Sequence, residues 1–244
     1  MPTLVTIQAA GVSGGQGDGA GAPWERQDHA EAVDLAARAT NWDLADPLAR
    51  VWDVDGTLLV SWLADDAPPL PLFPTVDALT SARSVTFADL AGSRSRVGRA
   101  VADRRSRRLS WRWRAISPTT FDRRGLPDPA PDPAALLISV GQAWNDVAPE
   151  EFAIAPDLLA QAARQTRTLW IEGRTAVADR TQLSGFVGIV DAVVEDLEAR
   201  QAEAVRTVLS AADFLGAGLC ADQGMGATAV EVSPDRSSGA DGGA

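Results

Sequence analysis

Two close pairs of glycines, Gly216-Ala-Gly218 and Gly224-Met-Gly226, stand five residues apart near the end of this 244-residue chain. Glycine lets a backbone take positive φ and lets another chain approach closely, so neither helix nor strand is expected to run through such a stretch. What flanks it is regular. Phe186 to Val194 is apolar and β-branched, a strand opened by Gly185 and Gly188. From about Asp196, Leu197, Val205, Val208, Leu209 and Ala212 recur at helical spacing, and Ala227 to Val232 closes as a strand. A lone glycine pair is usually a plain helix-to-strand turn. Two pairs after a strand and a long helix are more specific, because successive N–H groups in such turns form a concavity suited to phosphate.

The elements upstream complete a pattern. Leu109 to Ser117 alternates, with Trp111, Trp113 and Ala115 on one face and Ser110, Arg112 and Arg114 on the other. A helix over 133–147 carries Leu136, Leu137, Val140 and Trp144 inward, and a short helix over 156–164 leads to a strand over 168–178. With strand 185–194, helix 196–213 and strand 227–232, the order is β-α-β-β-α-β. That is the ferredoxin-like split unit.

The first half is less regular. Thr3 to Ala9 alternates as a strand, Gly11 to Gly21 is a glycine loop, and Asp28 can cap a helix from His29 to Ala39. The glycine loop lacks the Lys-Ser or Lys-Thr of a phosphate-binding P-loop. Leu58 to Leu63 reads as a strand, Ala67 to Pro74 as a proline linker, and Val76 to Leu90 gives weak strand and helix signals. The expectation is an α+β chain of two tandem ferredoxin-like (RRM-like) domains. The first covers 1–92, the second with its glycine-rich loop covers 93–233, and 234–244 is a disordered tail.

No run approaches the roughly 18 apolar residues of a membrane span, so a cytoplasmic protein without membrane contact is expected. The single cysteine, Cys220, excludes an internal disulfide, and with one histidine besides, no protein-built zinc site is expected. The net charge of −11 argues against nucleic acid, but its distribution does not. Every one of the 22 basic residues is Arg, and 11 fall between Arg94 and Arg124, opposed there only by Asp103 and Asp122. Arg104, Arg105, Arg107 and Arg108 lead into the strand bearing Arg112 and Arg114, a positive segment on an acidic body. Such a surface suits a phosphate backbone, and Arg can also stack on unpaired bases. The plain alternative is a solvated face paired with acidic residues elsewhere.

The C-terminal segment resembles the signature of the CRISPR precursor-RNA-processing endoribonucleases of the RAMP superfamily, which end in a GF-G strand, a helix and a GxG-x5-GxG loop. Ile116-Ser-Pro-Thr-Thr-Phe121 resembles that family's "TPT-F" strand end, Leu126-Pro-Asp-Pro129 its proline turn, and Ala143-Trp-Asn-Asp-Val-Ala-Pro149 its "WN-FAP" helix end. The resemblance covers about 109–232 well and the first hundred residues loosely. It implies binding of CRISPR repeat RNA, with Arg104, Arg105, Arg107, Arg108, Arg112, Arg114 and glycines 216, 218, 224 and 226 as candidate contacts. It also implies other subunits of a CRISPR effector complex as partners, and neither metal nor cofactor. The reaction it implies is attack of the 2′-hydroxyl on the neighbouring phosphate, leaving a 2′,3′-cyclic phosphate and a 5′-hydroxyl.

Such chemistry uses a general base or acid, most often His, and a cation for the developing charge. In the family that His usually precedes a "PFT-S" strand. Here the corresponding stretch, Leu48 to Asp53 ahead of Leu58-Leu-Val-Ser61, has Trp52 and Asp53 instead. The only histidine is His29, the candidate catalytic residue, and with Lys and Tyr absent the nearby cations are Arg26, Arg38 and Arg50. Loss of the expected His leaves open a cleavage-deficient repeat-RNA-binding subunit. A rival comes from Asp53-Val-Asp55-Gly-Thr57, which resembles the first motif of Mg²⁺-dependent haloacid-dehalogenase phosphohydrolases, with Asp53 as nucleophile and Asp55 as acid/base. The plain reading of the same residues is an aspartate-glycine turn into strand 58–63.

Overall fold

The structure is a computed structural model that describes residues 3–10, 50–54, 57–64, 79–91, 108–178, 181–221 and 225–233. Its first half forms four strands, β1 (Thr3–Ala10), β2 (Arg50–Val54), β3 (Thr57–Ala64) and β4 (Leu79–Thr86). They make an antiparallel sheet in the order β2-β3-β1-β4. Residues 50–54, to which the sequence reading gave no element, form an edge strand with Trp52 opposite Leu59 and Asp53 opposite Leu58. Val54 pairs with Thr57, so only Asp55 and Gly56 separate β2 from β3. An Asp-Gly dipeptide between two strands is a strong two-residue hairpin signal. The turn reading of this motif therefore describes the backbone on both sides of it. The expected helix 29–39 and the boundary at residue 92 lie outside the described residues, as does the tail.

Helix α1 (Phe87–Ala91) follows β4 directly. It starts there because Thr86 and Asp89 cap each other: the Asp89 N–H donates to Thr86 Oγ1 at 2.9 Å, and the Thr86 hydroxyl donates to the Asp89 carboxylate at 2.7 Å. Phe87 and Leu90 then enter the core of the second half, where the Phe87 ring meets Trp144 edge-on with centroids 5.1 Å apart.

That second half contains β5 (Leu109–Thr119), a hairpin of β6 (Phe121–Arg123) and β7 (Leu126–Asp128), helices α2 (Pro133–Val147) and α3 (Pro156–Gln165), β8 (Thr166–Ala178), β9 (Leu183–Val194), α4 (Ala199–Leu215) and β10 (Thr228–Ser233). The main sheet is antiparallel, in the order β10-β5-β9-β8. Numbered within each half, both sheets run 4-1-3-2, the ferredoxin-like order. The tandem α+β fold is as expected.

Alternation decides which face is core. Trp111, Trp113 and Ala115 are at most 2% exposed, while Arg112 and Arg114 face outward. Beneath them pack Leu136, Leu137, Val140 and Trp144 of α2 and Val205, Val208, Leu209 and Ala212 of α4, all buried as the periodicity predicts. Helix α2 begins where expected, its first N–H groups accepted by Asp132 with Pro133 at the first position. Helix α4 begins three residues later than expected. Asp196 adopts a positive φ of 56°, and Glu198 with Gln201 forms a capping box that fixes the start at Ala199.

The "WN" residues hold the following loop by hydrogen bonds. Trp144 Nε1 donates to the Phe152 carbonyl at 2.9 Å, and Asn145 exchanges two bonds with the Ile154 backbone at 2.8 and 2.9 Å. Among the described residues no helix is long and apolar enough to cross a membrane.

Candidate nucleic-acid interface

The outward face of the second sheet carries the expected arginines, and cross-strand register decides what each one meets. Arg112 on β5 lies opposite Asp191 on β9 and Glu231 on β10. Its guanidinium grips Asp191 in a bidentate pair, Nε to Oδ1 at 2.8 Å and a terminal NH₂ to Oδ2 at 2.9 Å. The hydrogen bond from Arg112 is the main cause that holds the Asp191 carboxyl below its usual range, and it raises Arg112 in turn. Both partners therefore keep their charges at neutral pH.

Arg114, two residues on, lies opposite Ile189 and Ala229. No carboxylate stands at either adjacent register position, and its exposed guanidinium makes no ion pair among the described residues. Arg108 and Arg167 converge on Glu195, just past the end of β9. Arg123 at the β6–β7 hairpin pairs with Asp128 at 3.1 Å and Asp132 at 3.5 Å. The arginine segment is thus less positive than its local sequence, because acids on β7, β9 and β10 return to it. Arg104, Arg105 and Arg107 lie outside the described residues, as do His29, Asp55 and Gly224.

The glycine loop is a lock between four segments of the chain. The Gly216 N–H closes the last turn of α4 on the Ala212 carbonyl. The Ala217 N–H bonds to the Gly226 carbonyl at 2.8 Å, and the Gly226 N–H to the Pro118 carbonyl at 3.0 Å. The Gly218 N–H goes to Ser139 Oγ on α2, and the Leu219 N–H to the Thr120 carbonyl, each at 2.8 Å. The Ala227 N–H goes to Ser117 Oγ at 2.9 Å. These donors face the chain itself, so the expected phosphate concavity is not formed by Gly216, Gly218 and Gly226 through their N–H groups. All three have positive φ, and at Gly218 and Gly226 close approach also requires glycine. A Cβ on Gly218 would lie 2.2 Å from the Thr120 carbonyl oxygen, and one on Gly185 would lie 2.6 Å from the Thr119 nitrogen.

The "TPT-F" strand end, the "GFVG" strand and the glycine loop are therefore one packed knot at the end of β5. Thr181 ties the knot to the β8–β9 hairpin through its hydroxyl, 3.1 Å from Met225 Sδ. Beside it a cavity of about 390 Å³ opens between the β6–β7 hairpin, α2 and Gly218. On the other side, β2 runs close to β5, bringing the strand that holds Trp52 and Asp53 alongside the arginine strand. Among the described residues no three His, Cys, Asp or Glu side chains gather as a metal site.

The family model of the CRISPR-associated endoribonuclease Cas6 matches residues 114–228, the part of the chain that contains this knot. The resemblance read in the sequence is borne out. Solved Cas6 structures share the fold over nearly the whole chain. A Cas6 product complex is 21% identical with a TM-score of 0.60, covering 95% of this chain and 100% of that one. A Thermus thermophilus Cas6 is 19% identical with a TM-score of 0.58, covering 95% and 98%. A partial Cas6-RT-Cas1–Cas2 complex contains a chain 13% identical with a TM-score of 0.59, covering 95% of this chain and 46% of that one. No curated protein matches the chain by sequence.

Proposed function

We propose that this protein binds CRISPR repeat RNA and cuts the precursor transcript into guide RNAs by metal-independent attack of a 2′-hydroxyl, leaving a 2′,3′-cyclic phosphate. The observation that carries the reading is the Cas6 family match over 114–228, on a chain whose whole fold is that of Cas6. The matched family is one of endoribonucleases and a solved relative is a product complex, which together support RNA as the ligand, and another relative sits in a Cas6-RT-Cas1–Cas2 complex, which supports CRISPR proteins as partners. His29 is the proposed general base or acid, with Arg26, Arg38 and Arg50 as candidate cations. RNA contacts fall to Arg104, Arg105, Arg107, Arg108 and Arg114, with Arg112 engaged by Asp191. The glycines serve by fixing the loop, and Gly224 keeps its proposed contact role.

The deciding experiment is incubation with the cognate repeat RNA in EDTA, read on a gel for cleavage and retention. Cleavage to a cyclic-phosphate end in EDTA is the expected result. A Mg²⁺ requirement would overturn it in favour of the Asp53–Asp55 chemistry. Retention without cleavage would favour the cleavage-deficient binding subunit, a second reading motivated by Trp52 and Asp53 standing where the family has its His.

The arginines separate by their partners. Arg114→Ala should weaken RNA binding about tenfold, the scale of one charge-assisted hydrogen bond. It should also reduce the slope of log affinity against log salt by about 0.7, one phosphate contact on a single strand. Arg112→Ala should change affinity less than about threefold, since its charge is already matched by Asp191. Filter binding across a salt series reads both. Equal losses for the two variants would show that Asp191 releases Arg112 to the RNA.

A further inference from the structure

Strand β8 lies at the edge of the second sheet, and its pairing with β9 slips by one residue between Thr168 and Trp170. Thr168 stands opposite Ala192 and Trp170 opposite Asp191, so Leu169 is the extra residue of a β-bulge. An unbroken register would put Trp170 opposite Val190, on the helix-packed face beside Trp113. The bulge turns it outward instead, into the row of Arg112 and Asp191, where it stays 45% exposed. Bulges that re-aim one side chain are concentrated beside functional sites. The next outward positions on β8 are Glu172 and Arg174, both exposed and neither in an ion pair among the described residues. Glu172 lies opposite Ile189, which has Arg114 on its other side, and Arg174 lies opposite Val187. An exposed indole and an unmatched carboxylate thus share a half-buried apolar floor, with an unmatched guanidinium on either side. Given a chain that binds RNA, as proposed, we infer that Trp170 stacks on an unpaired guanine and that Glu172 accepts hydrogen bonds from its Watson–Crick edge.

An exposed aromatic ring on such a sheet offers its π-face to any unstacked base. Selectivity has to come from hydrogen bonds, and an ionised carboxylate only accepts them. Guanine alone presents two adjacent donors on its Watson–Crick edge, N1–H and the N2 amino group. Adenine and cytosine set their amino donor beside an acceptor, and uracil has one donor between two acceptors. Glu172 lies about 6.6 Å from Trp170 along the strand and on the same face, within reach of the edge of a base lying over the ring. Asp191 is nearer, but its two oxygens are already held by Arg112 at 2.8 and 2.9 Å. Arg114 and Arg174 are placed for the phosphates that flank the stacked nucleotide.

The test is fluorescence anisotropy of labelled uridine heptamers carrying a central guanine, adenine or uracil, titrated with the full chain in EDTA. The guanine heptamer should bind about tenfold tighter than either of the others, the worth of one bidentate contact to a base. Trp170→Ala should weaken it by about fivefold or more, and Trp170→Phe, which keeps an aromatic face, should recover most of that loss. Glu172→Gln should bring the three affinities within about twofold of one another. The ratio among heptamers is the readout, because a change in net charge shifts all three together. Circular dichroism melts check that each variant is folded. Equal binding of the three heptamers by the unaltered protein overturns the proposal. So does a guanine preference that survives Glu172→Gln, or an affinity indifferent to Trp170→Ala, which would leave this edge to a protein strand. Cleavage of the cognate repeat is scored separately. A repeat cut in EDTA by a chain without guanine preference removes this site and keeps the proposed function, whereas a chain that holds neither repeat nor heptamer removes both.

Discussion

Replacing His29 by Ala should slow cleavage of the repeat RNA by about a hundredfold to ten-thousandfold, the usual worth of a positioned general acid or base. The proposed reaction asks for little else from a side chain. A proton must leave the 2′-hydroxyl as its oxygen bonds to phosphorus, and the 5′-oxygen must gain one as its bond breaks. An imidazole changes protonation within the physiological range, and no other residue type in this chain does so unperturbed. Arginine stays protonated and suits the charge of the phosphorane, not the proton transfer. RNA retention by the variant should stay within about twofold, because the loss falls on the transition state. Single-turnover cleavage beside filter binding reads both quantities. Unchanged cleavage by a folded variant would remove His29 from the chemistry and turn attention to Asp53 on β2, which runs beside the arginine strand.

The second domain was legible because burial on one face writes itself into alternation. Trp111 and Trp113 on β5 and the apolar stripes of α2 and α4 are where periodicity puts them. What escaped were elements too short to show a period. β2 has five residues, of which Arg50 and Asp53 are charged, and β6 and β7 have three each. The β6–β7 hairpin did leave a signal, the Arg124-Gly125 dipeptide. Both residues have positive φ, 59° and 81°, as a two-residue primed turn requires.

Electrostatics was the least legible layer. A count along the chain finds almost no acid near Arg112, yet its partner Asp191 is 79 residues away and directly opposite in the sheet. The glycines were readable as positions that need glycine. What approaches them was not readable, and it proves to be the chain's own carbonyl oxygens rather than an open cradle. A family signature read from sequence therefore mixes two kinds of residue, those that touch the ligand and those that hold the loop.

Gly226→Ala should destabilise the protein by about 3 kcal/mol or more, combining backbone strain at positive φ with overpacking. At this chain length that lowers Tm by roughly 10 °C. Gly226 has φ of 74°, and an added Cβ would lie 2.0 Å from the Ala217 oxygen, an atom that cannot swing away because it is backbone. The two residues are also joined by the Ala217 N–H bond to the Gly226 carbonyl, so moving one loosens the other. Gly125→Ala is the matched control. Its φ of 81° carries a similar strain, but a Cβ there meets nothing within 4 Å, so about 1 kcal/mol is expected. The difference between the two, measured by thermal melting, isolates the steric lock from the backbone preference. It also changes how a loss of RNA binding in such a variant is read. If Gly226→Ala binds RNA poorly and melts early, the glycine acts by holding β5, α4 and the loop together. If it binds poorly with Tm unchanged, the loop has room the structure does not show, and the glycine belongs among the RNA contacts after all.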